Sequence, residues 1–308
     1  MKKRILIILL SALLVASASG CNHISNNNEG ETTAVTQAQT EVSTSAETQI
    51  ATEGSIALNG NKSASINYTI TQSGEITLHL EDWQENHVVT SISLSDEEIS
   101  SFRRAFKVVA VGSQNACLFL AEQNKVTAIS FEKGSPEEKV TSLDISQDII
   151  GIAGNFTDDN KGYLFTFQEV SDGHATGGAK LSNLYTTEDG GVTWNALSLQ
   201  YTSSISLREH IIFARMVSQD VGMISGNYFA NDYNFCERTL LTIDGGHNWA
   251  NVADLPQINE LAWAIVDDFS LVDGDYILTV RYTASELENT YAYAKYQLVD
   301  MTTWVRIS

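Results

Sequence analysis

The sequence predicts an all-β protein assembled from repeated four-stranded antiparallel units. The octapeptide Thr-x-Asp-Gly-Gly-x-x-Trp occurs twice, at 187–194 and at 242–249. The chain has only 2 prolines and almost no long helical pattern. Apolar and polar residues alternate on either side of a Gln72-Ser73-Gly74 turn, a pattern typical of a β-hairpin. Recurrence of one motif at a fixed interval indicates repeated supersecondary units.

The octapeptide also gives the phase of these units. Trp194 and Trp249 are 55 residues apart, and the same interval leads on to Trp304. Asp-Gly-Gly supplies backbone positions that accept positive φ, and the carboxylate can accept hydrogen bonds from turn amides, so each copy closes a hairpin. The indole on the outgoing strand offers a large apolar surface and one N–H group that needs an acceptor.

The octapeptide resembles the Asp-box, or BNR repeat, of β-propellers such as sialidases, sortilin-type receptors and photosystem II assembly factors. The residues that match in full are Thr187, Asp189, Gly190, Gly191, Trp194, Thr242, Asp244, Gly245, Gly246 and Trp249. Partial forms occur at 130–134 and at Asp300 with Trp304. The resemblance implies a propeller in which the box is a structural turn, on the side away from the ligand.

Placing the box between the third and fourth strands of each unit assigns the other strands. The predicted strands are 107–112, 116–122, 126–131 and 139–145; 148–155, 162–169, 182–188 and 192–199; 211–216, 221–226, 238–243 and 247–252; and 262–270, 275–283, 291–298 and 303–307. A less regular unit occupies 54–94. Each four-stranded meander is a propeller blade, so we expect five blades, or six if 54–94 divides differently.

One segment is predicted to be helical. Ser95-Asp96-Glu97-Glu98 has the pattern of a capping box, and Ile99, Phe102 and Phe106 follow on one helical face. We therefore expect a short helix near 96–106, on the outside of the ring or between blades.

The N-terminus indicates export. Residues 1–20 combine a basic start, an apolar stretch and a terminal glycine, and they resemble a bacterial lipoprotein signal in which Cys21 is lipidated. Ordinary signal cleavage nearby is the alternative. Residues 21–53 are rich in Asn, Ser, Thr and Gln, which predicts a disordered tether and leaves 54–308 for the propeller. We expect a lipid-anchored protein on the outer surface of the cell membrane.

Charge and metal-ligand spacing limit the partners. The chain carries a net charge of −20, and loss of the signal, which has three basic and no acidic residues, brings it to −23. Such acidity argues against nucleic acid as a partner. The histidines have no metal-ligand spacing, and no cofactor motif is present, so we predict neither metal nor cofactor. Cys117 and Cys236 are expected to be free and buried, with a disulfide between them as the alternative.

The loops between second and third strands, and between blades, should lie at the end opposite the boxes. We predict that 200–210, 227–237, 253–262 and 284–291 form one recognition surface there, for a protein, peptide or envelope glycan. The candidate binding residues are Tyr201, Arg208, Tyr228, Phe229, Tyr233 and Glu260. The 227–237 loop is dense in aromatic residues, although two of its four rings could serve only to pack the loop. The 170–182 segment is expected to be a mobile loop in which His174 stands alone.

A glycoside hydrolase is the alternative function. A sialidase-like site needs three arginines for the substrate carboxylate, and Arg208, Arg238 and Arg281 are the candidates. The Arg-Ile-Pro element that opens sialidase domains is missing. We therefore predict a non-catalytic binding or scaffold module with no catalytic residue.

Overall fold

In the computed structural model, the described residues are 50–122, 124–170, 178–202, 213–226, 239–252, 255, 263–283 and 291–308. They all belong to one compact unit, Glu47–Ser308. Across these ranges, no helix has both the length and the hydropathy that crossing a membrane requires.

The strands form five successive four-stranded antiparallel meanders, which we number as blades. Blade 1 is β1 (Ile50–Leu58), β2 (Asn61–Thr71), β3 (Ile76–Leu80) and β4 (Glu85–Val89); blade 2 is β5 (Phe106–Val111), β6 (Asn115–Glu122), β7 (Lys125–Glu132) and β8 (Glu138–Asp144). Blade 3 is β9 (Gly151–Phe156), β10 (Gly162–Val170), β11 (Gly178–Thr187) and β12 (Asn195–Leu197). A two-residue strand, β13 (Tyr201–Thr202), precedes blade 4, which is β14 (Phe213–Met216), β15 (Gly222–Ser225), β16 (Thr239–Thr242) and β17 (Asn248–Asn251). Blade 5 is β18 (Trp263–Val272), β19 (Asp275–Thr283), β20 (Ala292–Val299) and β21 (Thr303–Arg306).

The first strands of the blades make the inside of a ring. β1 pairs in parallel with β5, and contacts continue from β5 to β9, from β9 to β14 and from β14 to β18. β18 then contacts β2 of blade 1, where the Asn61 side chain donates to the Asp267 carbonyl at 2.8 Å. A ring of four-stranded meanders with their first strands innermost is a β-propeller. The predicted fold class and the count of five blades are confirmed.

Apolar side chains fill the space between consecutive blades. Separate buried clusters join blades 1 and 2, blades 2 and 3, blades 3 and 4, and blades 4 and 5. Among the described residues no comparable cluster joins blade 5 to blade 1. The facing side of blade 1 is instead polar and largely exposed, because Glu53, Ser55 and Asn67 alternate with the buried Ile56, Ile66 and Tyr68.

Helix α1 spans Asp96–Arg104 and begins with the predicted capping box, in which Ser95 and Glu98 bond to each other's backbone N–H. Ile99 and Phe102 are buried against blades 1 and 2. The helix ends before Phe106, which starts β5 and is 38% exposed. Phe106 therefore does not share the buried helical face that the sequence pattern predicted.

Three segments depart from the predicted boundaries. β1 begins at Ile50, inside the 21–53 segment that was assigned to the tether. β11 begins at Gly178, so the end of the segment predicted as a mobile loop is strand, while His174 lies outside the described residues. β12 covers only Asn195–Leu197 of the strand predicted at 192–199.

Cys117 is a free and fully buried thiol, and burial raises its pKa well above the ordinary range. Cys236 lies outside the described residues.

Candidate functional site

The first Asp-box turn commits the side chains of Thr187, Asp189 and Thr193 to its own hairpin. Asp189 accepts hydrogen bonds from the Thr187 hydroxyl at 2.7 Å and from the backbone N–H and hydroxyl of Thr193 at 2.9 and 2.6 Å. The Thr187 hydroxyl in turn accepts from the Gly191 N–H at 2.9 Å. Partial burial acts to raise the pKa of Asp189, but the bonds from Thr193 and Thr187 outweigh it and lower the pKa.

The second box repeats this arrangement almost atom for atom. Asp244 accepts from the Thr242 hydroxyl at 2.9 Å and from the backbone and side-chain N–H groups of Asn248 at 3.0 and 2.6 Å. Both glycines of each box have positive φ: 71° and 94° in the first box, and 74° and 93° in the second. The carboxylates are thus occupied by turn donors, and this geometry is what the predicted architectural role of Asp189 and Asp244 requires.

The box tryptophans reach back into the preceding blade. The Trp194 indole donates to the Gly191 carbonyl at 2.9 Å and meets the Phe119 ring of blade 2 edge-on at 5.2 Å. The Trp249 indole donates to the Gly246 carbonyl at 2.8 Å and meets Phe165 of blade 3 at 6.0 Å. Each box therefore fixes its own turn and contributes an anchor to the inter-blade core.

The turns at the box end of blades 2 and 3 are also linked to one another. The Asp159 carboxylate accepts from the hydroxyl and backbone N–H of Ser113 and from the Gln114 N–H, all within 3.1 Å. The bond from the Ser113 hydroxyl is the main cause of the lowered pKa of Asp159. The Gly190 N–H donates to the Asn160 carbonyl at 2.9 Å, which connects the box to the same turn. The box end is a framework of mutually satisfied turns.

The candidate binding residues fall mainly outside the described residues. Arg208, Tyr228, Phe229, Tyr233 and Glu260 are in this group, so their assignment to a binding face stays a prediction. Only the backbone of Tyr201 is described, as the first residue of β13.

A polar cavity does occur at the predicted end of blade 3. Its volume is about 260 Å³, and the residues that line it are Ser146, Gln147, Gln168, Lys180, Leu181, Ser182, Asn183, Leu199 and Gln200. Ser146 and Gln147 belong to the connection between blades 2 and 3, and Gln168 and Lys180 face each other near the β10–β11 connection. The cavity therefore lies at the end of the blade opposite Asp189.

The cavity wall arises from a change of polarity along one face of blade 3. Leu164 and Tyr185, which are opposite each other, are buried in the core shared with blade 2. The next pair on that face, Thr166 and Asn183, is polar. Because directly opposite residues of antiparallel strands share a face, the apolar core ends here and hydrogen-bonding groups continue towards the loop end.

A bulge fixes the side chains at this transition. Between β10 and β11 the register shifts after Thr166, which leaves Ser182 as the extra residue. The Ser182 hydroxyl lies 2.8 Å from the Thr166 hydroxyl and 2.9 Å from its carbonyl oxygen, and the Asn183 amide donates to the Thr166 hydroxyl at 3.1 Å. Bulges commonly re-aim side chains beside binding sites.

The outer side of the cavity exists because the chain leaves blade 3 early. After β12, the Ser198 carbonyl lies 3.0 Å from Nδ1 of His247, and the Gln200 N–H donates to the His247 carbonyl at 2.8 Å. Tyr201 and Thr202 then pair in parallel with Asn248 and Trp249 on the edge of blade 4. The fourth strand of blade 3 is thus short, and Leu199 and Gln200 border the space beside β11.

Of the cavity residues, the sequence analysis placed only Gln200 in a predicted recognition loop, 200–210. Gln168 was assigned to a strand without a role, and Lys180 was placed in a loop. No local signal marks them, because the cavity depends on the bulge and on the contacts that divert the chain to blade 4.

Arg281, one of the three arginines considered for a sialidase-like site, is already engaged. Its Nε atom lies 3.4 Å from Oδ1 of Asp267, and its guanidinium lies over the Tyr291 ring at 5.0 Å. Arg208 and Arg238 are outside the described residues. The described part of the chain therefore shows no set of arginines converging on a substrate carboxylate.

A second, shallower depression of about 600 Å³ lies on the polar face of blade 1. Its lining includes Glu53, Ser55, Asn67, Thr69 and His79. These residues occupy the middle of a sheet face and lie away from the strand ends where the blade-connecting loops converge. The blade 3 cavity is therefore the better candidate for the predicted recognition surface.

Comparisons with known proteins identify only distant structural similarity. No family model and no curated protein match the chain. Among solved structures, YCF48 from Cyanidioschyzon merolae is 10% identical, with 85% of each chain covered and a TM-score of 0.37. PorZ, a surface component of the type-IX secretion system of Porphyromonas gingivalis, is 13% identical over 83% of this chain and 35% of PorZ, with a TM-score of 0.22. At such values neither structure supports an argument about function.

Proposed function

We propose that the protein is a lipid-anchored, extracytoplasmic β-propeller that acts as a non-catalytic binding or scaffold module for a protein, peptide or envelope glycan. The observation that carries the proposal is the polar cavity of blade 3, at the end of the ring opposite the Asp-box turns. The described part of its lining offers four amide side chains, two hydroxyls and one lysine. Amides and hydroxyls donate and accept hydrogen bonds without a net charge, as recognition of peptide or sugar groups requires.

The cavity is small for an enclosed ligand. Pockets that bury a small molecule usually exceed roughly 300 Å³, whereas this one measures about 260 Å³. A ligand that fills it would therefore extend beyond it over the neighbouring surface. This requirement favours a segment of a larger molecule over a metabolite.

The binding proposal is tested by capture of partners from intact cells with the full chain and matched variants. Gln168→Ala combined with Asn183→Ala should reduce the captured partner, because both amides line the cavity. The control is Val192→Ala, which changes an exposed residue of the box turn and should leave capture unchanged. Equal capture by the double variant and the control would refute the assignment to blade 3. Tyr228→Ala with Tyr233→Ala tests the predicted aromatic loop in the same assay.

Anchoring is tested separately by fractionation of cells. Cys21→Ser should release the protein from the membrane fraction if that cysteine carries the lipid. Continued retention of the variant would contradict lipidation. The glycosidase alternative is tested by turnover of a fluorogenic sialoside, with Arg281→Ala as the inactive control.

A further inference from the structure

The edge of β11 next to the cavity is open over half of its length. On one side, β11 pairs with β10 along the whole of Gly178–Thr187. On the other side, β12 pairs only with Leu184, Tyr185 and Thr186. Within the described ranges, the segment from Gly178 to Asn183 has no strand on this side.

This open edge is longer than the open parts of the third strands in blades 2 and 5. In blade 2, β8 pairs with β7 from Phe131 to Lys125, which is nearly its full length. In blade 5, the C-terminal backbone extends the cover of β20 to Lys295, since the Lys295 N–H donates to the Ser308 carbonyl and the Ile307 N–H donates to the Lys295 carbonyl. Only Ala292–Ala294 of β20 then has no described strand on this side. In blade 3 the corresponding chain has moved to the edge of β17 instead.

We propose that an extended peptide segment of a partner binds by adding a strand to the Gly178–Asn183 edge of β11, with its side chains in the adjoining cavity. The inference rests on the proposed binding function and names the ligand class. An open edge presents backbone N–H and C=O groups in the spacing that another extended chain requires. The cavity supplies the second element of such recognition, a pocket for alternate side chains of the added strand.

The edge is suited to a short partner segment rather than to a second copy of the chain. A lysine and a bulge are two of the means by which proteins keep exposed edges from pairing with themselves. Lys180 and the bulge at Ser182 are both within the open segment. A free peptide can follow a locally twisted edge, whereas the rigid edge of a second propeller must match it over several residues.

Charge further defines the peptide. Among the described residues that line the cavity, Lys180 is the only charged one, in a chain whose net charge is −20. A carboxylate side chain on the added strand would therefore find its counter-charge at this position. We expect the segment to be extended and to carry one Asp or Glu at the position opposite Lys180.

The test uses decapeptides selected from a displayed random library on the full chain. In each selected peptide, the backbone amides are methylated one at a time. Strand addition predicts an alternating pattern, because only every second peptide N–H points to β11. Methylation at those positions should weaken binding by about tenfold, and methylation between them should have little effect.

Two further measurements define the site and the charge. Amide hydrogen exchange of the full chain should slow in Gly178–Asn183 when the peptide is bound. Lys180→Ala should weaken the acidic peptides several-fold at low salt, whereas Lys295→Ala, which removes an exposed lysine of blade 5, should not.

The outcomes separate the inference from the proposed function. Peptides that bind without the alternating pattern, or without protection of Gly178–Asn183, would overturn strand addition while leaving a binding module. Failure to select any peptide, together with binding of an envelope glycan that Gln168→Ala weakens, would also overturn it. Equal partner capture by the Gln168→Ala, Asn183→Ala double variant and the Val192→Ala control would count against the proposed site itself.

Discussion

Replacement of Trp249 by alanine should lower the free energy of unfolding by roughly 3–5 kcal/mol, the usual range for removing a buried tryptophan. The side chain is fully buried, in the core between blades 3 and 4. Its ring meets Phe165 edge-on, and its N–H donates to the Gly246 carbonyl at 2.8 Å. The alanine variant would leave a cavity between two blades and remove that donor.

Trp249→Phe separates the two contributions. Phenylalanine retains most of the apolar contact with Phe165 but lacks the N–H, so Trp249→Phe should lower the free energy of unfolding by about 1–2 kcal/mol. The difference between the two variants then measures the inter-blade packing of the indole. Val192→Ala is the control, because Val192 is 41% exposed in the other box turn; its effect should stay within about 0.5 kcal/mol.

The measurement is urea unfolding of the full chain followed by far-ultraviolet circular dichroism, which does not depend on tryptophan fluorescence. With a slope of about 3 kcal/mol per molar urea, a loss of 4 kcal/mol moves the midpoint by more than 1 M. If Trp249→Ala lowered the free energy of unfolding by less than about 1 kcal/mol, the indole would not be an inter-blade anchor. If the alanine variant failed to fold, Trp249→Phe against Val192→Ala would still test the hydrogen bond.

Three further predictions concern the rest of the framework. Gly246→Ala should lower the free energy of unfolding more than Gly245→Ala in the same assay. Both residues have positive φ, but an added Cβ would lie 2.4 Å from Leu184 Cδ2 at Gly246 and 3.3 Å from the nearest atom at Gly245. Equal losses of unfolding free energy would show that the contact with Leu184 relaxes. The side chain of Glu138 is only 2% exposed, and its burial raises the pKa, but hydrogen bonds from Ser91, Thr90 and His87 outweigh this effect and lower the pKa. The contribution of Glu138 to the free energy of unfolding is thus present above the pKa of the unfolded chain, about 4.3, and is lost as pH falls through the lower pKa of the folded protein. Glu138→Gln should therefore reduce the slope of the free energy of unfolding against pH, on the acid side, by up to about 1.4 kcal/mol per pH unit. An unchanged slope would contradict this. Ser95→Ala should cost about 1 kcal/mol through the lost N-cap, while Ser101→Ala, exposed within the same helix, should be neutral, and equal effects of the two would argue against the cap.

The parts of the fold that the sequence predicted are those whose determinants are adjacent in the chain. The Asp-box turn needs Thr, Asp, two glycines and Trp within eight residues, and the hydrogen bonds of the Thr187, Asp189 and Trp194 side chains close within the motif. The blade phase follows from that turn. The capping box of α1 is equally local, since Ser95 and Glu98 satisfy each other.

The parts that it did not predict depend on contacts between distant segments. The pattern at 192–199 is compatible with a full fourth strand, but the strand ends at Leu197 because the chain is held by His247. Phe106 continues the helical pattern of Ile99 and Phe102, yet the chain is already extended at Phe106 and pairs with Ala121 in β6. In both cases tertiary pairing overrides a pattern that is locally consistent.

The cavity was missed for a related reason. Strand alternation shows that Thr166 and Gln168 share a face, but it does not show how far the neighbouring blade covers that face. Coverage ends where Leu164 and Tyr185 meet the blade 2 core. From sequence alone, a polar residue in a strand is predicted to face solvent, because the extent to which the next blade covers the strand is not known.

The two ends of blade 3 differ in how completely their hydrogen-bonding groups are used. At the box end, Asp189 and Asp159 bind backbone and hydroxyl donors of their own and neighbouring turns, so substitutions there act on stability. At the loop end, the edge of β11 has backbone groups beyond Leu184 that no described strand pairs. If binding occurs where hydrogen-bonding capacity is left over, box variants should lower the unfolding free energy without changing the Kd of the folded fraction. Cavity variants should raise the Kd without lowering the free energy of unfolding. Measuring both quantities on one set of variants decides between this separation and a site shared with the box turns.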